Sequence, residues 1–330
     1  MTPSKLPDTA QFHALAEAAP FTVYDIGARG GEKDDFDRIS KAIDLVLFEP
    51  EPAAFAALQS TPNSAYRSVT PKNIALGRGT DTVCLNVCAS PGCSSGLTPL
   101  GERAAPFGRA EYYDVTQVVE VPVRGIDDLI ASNDLVPAHF VKIDIQGMEL
   151  DVFEGGAALL SNHTLGIRTE VNFLPMYEGL PLWGDLDTAL RRFGFQPMRF
   201  IEFHEWRRKT RKKYPKIDRS IDLPAGRGQM VHADVLYLKP PELFDGTTPD
   251  GALQLARLAL LAACYGHFDH AFDALSRPGM NLWRTERQLG TPDSILRALS
   301  EAEASVLETT ARAQRFGNRI MGLLHPLLGR

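Results

Sequence analysis

Asp25, Gly27 and Gly31 share one stretch, Asp25-Ile26-Gly27-Ala28-Arg29-Gly30-Gly31, in which an acidic side chain precedes glycines that let the backbone approach a ligand closely. A helix starting behind such a turn offers unbonded N–H groups to a carboxylate or phosphate. Arg29 occupies the place where the dinucleotide pattern G-x-G-x-x-G needs its second glycine for pyrophosphate approach, which disfavours a nicotinamide dinucleotide. Glu49, in Phe48-Glu49-Pro50-Glu51-Pro52, stands about twenty residues beyond the turn, where a carboxylate can accept both hydroxyls of a ribose. A third acidic residue, Asp144, lies in Lys142-Ile143-Asp144-Ile145-Gln146-Gly147-Met148-Glu149-Leu150, a strand-like run that passes through a glycine into an apolar helix pattern.

All three acids sit where strands should end. Phe21-Thr22-Val23-Tyr24, Leu45-Val46-Leu47-Phe48 and Phe140-Val141-Lys142-Ile143 are apolar and each reaches a polar residue at its C-terminal end, as buried parallel strands do. Strand and helix signals alternate from Phe21 to about Lys239, which predicts an α/β fold: a doubly wound, mostly parallel sheet with helices on both faces. The ligand crevice of such a sheet lies outside the carboxyl ends of its strands. Val83–Val87 and Val118–Val123 read as a hairpin-like insertion, 126–132, 149–160 and 186–193 as helices, and 200–203 and 231–238 as the last strands. Strand signals stop after Lys239-Pro240-Pro241, and Leu253–Leu275 and Ser294–Ala313 show helical apolar spacing. The expected division is a sheet domain over 1–240 and a helical C-terminal extension over 241–330. The stretch from Leu255 through Tyr265-Gly266 to Leu275 is similar to one tetratricopeptide helix pair. One such unit cannot bury its own face, so it is expected to pack on the main domain or to serve oligomerisation or partner docking.

Composition narrows the remaining classes. A net charge of −6 argues against a dedicated nucleic-acid binder, which would neutralise phosphates. The N-terminal stretch has no apolar signal-peptide core and no run is long enough to span a membrane, so a cytoplasmic location is expected. Cys84, Cys88, Cys93 and Cys264 match no zinc template or paired disulfide framework, and no metal site is expected. Gly92-Cys93-Ser94-Ser95-Gly96 has the G-x-S-x-G spacing of a nucleophile elbow, but Pro99, Gly101 and Pro106 break the helix that should follow.

Taken with Asp25 and Glu49, the Asp144 motif resembles the FkbM family of S-adenosylmethionine-dependent methyltransferases, whose strand motif commonly reads I-D-V-E-G-x-E before an apolar helix and K-G-A. The likeness continues through Thr169-Glu170-Val171-Asn172-Phe173-Leu174-Pro175-Met176-Tyr177-Glu178-Gly179, Pro181-Leu182-Trp183, Phe193-Gly194-Phe195 and the run from Gly228 to Leu238, covering about residues 20–240. It implies a Rossmann-like class I methyltransferase sheet whose last strand is antiparallel, with S-adenosylmethionine as cofactor. Asp25, Gly27, Ala28, Gly30 and Gly31 would hold the methionine part, Glu49 and Pro50 the ribose, and Asn73, Ile74 and Ala75 would flank the adenine. Asp144 would face the methionine amine or the acceptor. Gln146 departs from the family by standing where Glu is usual, and an amide can act neither as a base nor as a charged metal ligand.

Methyl transfer is an in-line displacement that depends mainly on positioning with water excluded. An alcohol acceptor must still lose a proton, and the base candidates on rim segments are Asp144 and Glu170, then His204 and His232. No neighbour in the sequence pairs either histidine with an orienting carboxylate. The basic run Arg207-Arg208-Lys209-Thr210-Arg211-Lys212-Lys213, between the last two strands, suits an anionic acceptor such as a nucleotide- or lipid-linked sugar, or peripheral contact with an acidic membrane. The expected activity is O-methylation of a sugar, glycolipid precursor or natural product. Two alternatives stay open: a cofactor-binding scaffold without catalysis, and an NAD-dependent sugar enzyme.

Overall fold

The computed structural model describes residues 9–29, 34–60, 65–209 and 227–305. Contacts divide the chain into two compact units, one spanning residues 20–240 and the other combining 1–19 with 241–330.

The strands of the first unit are β1 (Phe21–Ile26), β2 (Ile43–Phe48), β3 (Ser68–Lys72), β4 (Ala75–Leu76), β5 (Asp81–Cys88), β6 (Val115–Arg124), β7 (Phe140–Ile143), β8 (Gly166–Asn172), β9 (Gln196–Trp206) and β10 (Gln229–Leu238). Seven of them form one sheet in the order β3-β2-β1-β7-β8-β10-β9. Its pairings are parallel except those of β10, which runs antiparallel to both β8 and β9. The strand order reverses between β1 and β7, and the functional edge is expected at that switch point. The fold is the doubly wound, mostly parallel sheet that the strand pattern predicted, with the antiparallel last strand that the family resemblance implied. The insertion between β3 and β7 is a second sheet, β4-β6-β5, in which β5 and β6 pair antiparallel as expected and β4 adds a short third strand.

Strands β1 and β8 are buried at every position, and their alternate residues face opposite sides of the sheet. Tyr24, Ile26, Val141, Ile143, Ile167, Val171, Val235 and Tyr237 meet in one core. Residues of opposite parity carry charge instead. Lys142 Nζ donates to Asp25 Oδ1 at 2.5 Å. Arg168, buried on β8, donates to Asp234 Oδ2 at 2.6 and 2.8 Å and to Asp35 at 2.7 and 2.9 Å. Such pairs position elements more than they stabilise them, because desolvation offsets much of the attraction; removing one partner would leave a buried charge alone.

Helices follow as α1 (Ala10–Ala18), α2 (Pro52–Ser60), α3 (Gly101–Ala104), α4 (Ile126–Ala131), α5 (Glu149–Gly155), α6 (Ala157–Asn162), α7 (Trp183–Arg192), α8 (Pro249–Cys264), α9 (Phe268–Ser276) and α10 (Met280–Glu286). The single helix expected over 149–160 is divided into α5 and α6 at Gly156. A Cβ on Gly155 would come within 1.9 Å of the Gly77 carbonyl oxygen, so the helix passes the inserted segment too closely for any side chain. Behind the glycine turn stands an interrupted 3-10 segment, Asp34–Ala42, where a regular helix was expected. Phe36 and Ile39, both buried, are the residues that interrupt it, with φ of −122° and −131°.

In the second unit α8 and α9 form the expected helix pair, joined through Gly266 at a φ of 76°. Thr248 Oγ1 caps α8 by accepting from Gly251 N at 3.1 Å. Residues 292–305 are helical, and the rest of the predicted Ser294–Ala313 helix lies outside the described residues. The expected 1–240 boundary differs at its start, because residues 1–19 group with the extension. Gln11 Oε1 in α1 accepts from Gly290 N at 2.7 Å, a tertiary bond with no local sequence signal.

Candidate active site

At the carboxyl edge of the sheet, the turn after β1 is held by its neighbours on both sides. The amides of Gly27 and Ala28 both donate to Phe48 O on β2 at 3.0 Å, and Asp144 N donates to Ile26 O at 3.0 Å. Gly27 has a φ of 84°, and a Cβ there would lie 2.1 Å from the Asp144 carbonyl oxygen. Glycine is therefore required by backbone approach as well as by conformation. Asp25 is buried beneath this turn; burial pushes its carboxyl upward and the Lys142 ammonium opposes that shift. Arg29 reaches across to Glu51 Oε2 at 3.1 Å and to Pro91 O at 3.3 Å. Gly30 and Gly31 lie outside the described residues.

Glu49 closes β2 with its carboxylate buried and raised in pKa, chiefly by that burial. Its Oε1 accepts from Glu51 N at 2.9 Å, a bond that fixes the turn. Asn73 Nδ2 donates to the carbonyls of Glu49 and Pro50 at 2.9 and 3.1 Å. The Asn73 side chain thus braces the Glu49 turn, while Ile74 and Ala75 line a narrow apolar slot with Gly27, Phe48, Pro50 and Met148. Phe48 and Pro50 of this lining flank Glu49 in the chain, and an apolar slot with an acid next to it in sequence suits a nucleoside: flat base between apolar walls, diol on the acid.

The second half of the edge is a polar cluster centred on Gln146, a non-glycine residue held at a φ of 58°. Its Nε2 donates to Asp144 Oδ1 at 2.8 Å and to Glu170 Oε1 at 3.0 Å, and its Oε1 accepts from Tyr177 OH at 3.1 Å. Ser95, fully buried, donates to Gln146 O at 2.7 Å. Ser94, the serine of the G-x-S-x-G spacing, accepts from Cys88 N at 3.1 Å, and it is its neighbour Ser95 that braces this turn. Behind it, Glu149 Oε1 accepts from the amides of Ile145 and Gly147 at 3.1 and 3.2 Å, and burial pushes its carboxyl up to about 7.

Glu170 is buried on β8 and its carboxyl is raised well above the usual range, by burial first and by Asp144 and Glu149 next. His232 Nδ1 lies 2.9 Å from Glu170 Oε2, outside hydrogen-bonding angles, and this buried nitrogen has no bonded partner among the described residues. Burial lowers the imidazole pKa, against the pull of Asp144 and Asp234. His204 pairs with His232 across β9 and β10, and the rings stack with centroids 4.2 Å apart.

Asp144, Glu170 and His232 are therefore brought together, His204 covers them from a more exposed position, and Glu49 stands apart with the slot. Sequence reasoning found no carboxylate to orient His232. The partner comes from antiparallel pairing, in which His232 faces Asn172 and Asp234 faces Glu170, a register no motif encodes. Lys142 beside Asp25, and Gln146 as a bridge between two acids, were likewise not anticipated. An amide flanked by acids at 144 and 149 in a glycine turn is the one sequence signal that pointed there. Among the described residues no group of side chains is arranged to hold a metal ion, and no helix is long and apolar enough to cross a membrane.

Comparison with solved structures gives an FkbM methyltransferase from Methylobacillus flagellatus KT, 17% identical with a TM-score of 0.38, matched over 67% of this chain and 44% of its own. TehB from Haemophilus influenzae is 13% identical with a TM-score of 0.30, over 68% of this chain and 61% of its own. This chain thus spans less than half of the first structure and under two thirds of the second. No curated protein matches. The model of the methyltransferase FkbM domain matches residues 25–197, from the acid of the glycine turn to the start of β9. That span is more than half of the sequence and contains the Glu49 slot and the Asp144–Gln146–Glu170 cluster: the chain belongs to the FkbM methyltransferase family.

Proposed function

We propose that this chain transfers a methyl group from S-adenosylmethionine to a hydroxyl oxygen of a small-molecule or glycan acceptor, with His232 receiving the hydroxyl proton. The observation that carries this reading is the buried Glu170 carboxylate 2.9 Å from His232 Nδ1, itself held from the other side by Gln146. When bound, S-adenosylmethionine supplies an electrophilic methyl on a sulfonium centre. The residues of the first half fit it: the slot takes the adenine, Glu49 the ribose hydroxyls, and the turn from Gly27 the methionine part.

The second half then handles the acceptor. A neutral imidazole is favoured because burial lowers its pKa, so His232 stays unprotonated and able to take a proton at neutral pH. Glu170 stabilises the imidazolium that forms, and catalytic bonds of this kind tighten only when substrate is in place. Gln146, donating one amide group to two carboxylates, lessens their mutual repulsion without adding a third charge. Asp144 lies at the switch point between the halves, where it can orient the cofactor amine or the acceptor.

The test is labelled-methyl transfer to a panel of hydroxyl acceptors, with cofactor binding measured separately by thermal shift. S-adenosylmethionine and its demethylated product should each stabilise the chain, and transfer should rise with pH through a value below the usual histidine range. A shift with NAD and none with S-adenosylmethionine would overturn the reading.

A further inference from the structure

Beside the polar cluster lies an open groove of about 450 Å³. Its floor is apolar, formed by Phe107, Leu174 and Met176, and Met176 is the chain neighbour of Tyr177, which bonds Gln146. Its rim carries Arg103 and Arg208, with Glu102 as the opposing charge among its lining residues. The Arg103 guanidinium is exposed and has no ion-pair partner among the described residues. Arg208 lies over the Phe107 ring at 5.8 Å, so its charge is held at the apolar floor. Two further cations stand close by: Arg109 over the Trp206 ring at 4.8 Å, and Lys209, whose chain runs against Gly108 so tightly that a Cβ there would come within 2.3 Å of it.

The groove also has a defined relation to the proposed base. Gln229 on its wall pairs with Trp206 and His232 with His204, two ladder steps apart along β9, about 7 Å at the rise of an extended strand. A molecule anchored among the arginines can therefore present a hydroxyl to His232 if anchor and hydroxyl are about that far apart.

We infer that this groove binds a phosphate group of the acceptor, so that the substrate class is a phosphate-bearing alcohol with an apolar face or chain. The inference rests on the O-methyl transfer reading and specifies its acceptor. Guanidinium groups favour phosphate because their planar forks match its oxygens, and a low-dielectric floor strengthens the attraction. The apolar floor accommodates either the hydrophobic face of a sugar or a lipid chain, and both sources supply the same phosphate chemistry.

Calorimetric titration of the full chain, saturated with S-adenosylhomocysteine, separates these sources. The probes are glucose 1-phosphate and farnesyl phosphate, each against its neutral counterpart, methyl glucoside and farnesol. At least one phosphate probe should bind about tenfold or more tightly than its neutral partner, and the one that does identifies a sugar or a lipid source. Arg103→Glu and Arg208→Glu should each weaken that binding about tenfold while the thermal shift with S-adenosylhomocysteine stays unchanged. Arg103→Gln and Arg208→Gln serve if a reversed charge impairs folding. Equal binding of charged and neutral probes, binding of none, or wild-type affinity in the arginine variants would overturn the inference. Methyl transfer to neutral alcohols that is indifferent to both arginines would remove the phosphate site and leave the O-methyl reading standing. Phosphate binding with no transfer to any alcohol would do the reverse.

Discussion

The two halves of the functional edge are built in opposite ways. Around Glu49 the side-chain contacts of the acid are local, an amide two residues away, while Asn73 braces the turn's carbonyls from 24 residues on and the slot beside it is apolar. Around Gln146 they are long-range, reaching 24 residues to Glu170, 31 to Tyr177 and 51 to Ser95. One half is a preformed niche with a single acid; the other is a polar network whose members reinforce one another. With this arrangement the second half can change through distant residues without disturbing the first.

The largest expected effect tests that separation directly. His232→Ala should lower kcat by about 10²–10⁴, the usual contribution of a positioned base, and leave cofactor affinity unchanged. Steady-state kinetics beside a cofactor titration measure both, and a parallel loss of cofactor affinity would mean that the halves are one unit. Gly27→Ala should instead harm both halves, since its new Cβ would strike the Asp144 carbonyl and the backbone would be held at a positive φ. A loss of about 3 kcal/mol or more in denaturant unfolding is expected from the combined clash and strain.

Glu149 sharpens the comparison through pH. Its pKa in the folded chain is raised from 4.5 to about 7, so its contribution to stability is fully present below pH 4.5 and is lost as pH rises through about 7. Glu149→Gln should keep the acceptor for the amides of Ile145 and Gly147 and abolish that loss. The variant should be more stable than the parent at pH 8, by up to about 3 kcal/mol on the scale of the shift, with the difference vanishing near pH 4.5. Unfolding midpoints at the two pH values decide it. The smallest effect is expected in the local half: Glu49→Ala should weaken cofactor binding by about 1–3 kcal/mol with the acceptor KM unaltered. Unchanged cofactor affinity would remove Glu49 from the ribose.

The legibility of each half follows from the same contrast. Asp25, Gly27, Glu49 and Asp144 were readable because strand ends and glycine turns are set by neighbours in the chain. The close pass of Gly155 against the Gly77 carbonyl was not, because it exists only after folding. Asn73 was placed at the adenine by its position after β3, yet its side chain bonds the Glu49 turn. His232 has no carboxylate partner in its local sequence, since Glu170 lies on another strand.

What this sequence determined by itself is the order of strands and helices, the acids at their carboxyl ends and the glycine that lets β1 and β7 meet. These follow from side-chain period, conformational preference and spacing, all of which act over a few residues. Tertiary structure alone decided that Lys142 neutralises Asp25, that α1 joins the C-terminal helices, and that Gln146 ties Asp144 to Glu170 beside His232. Those outcomes depend on strand register and on which buried polar groups find each other, and such pairings exist only when distant segments are packed together.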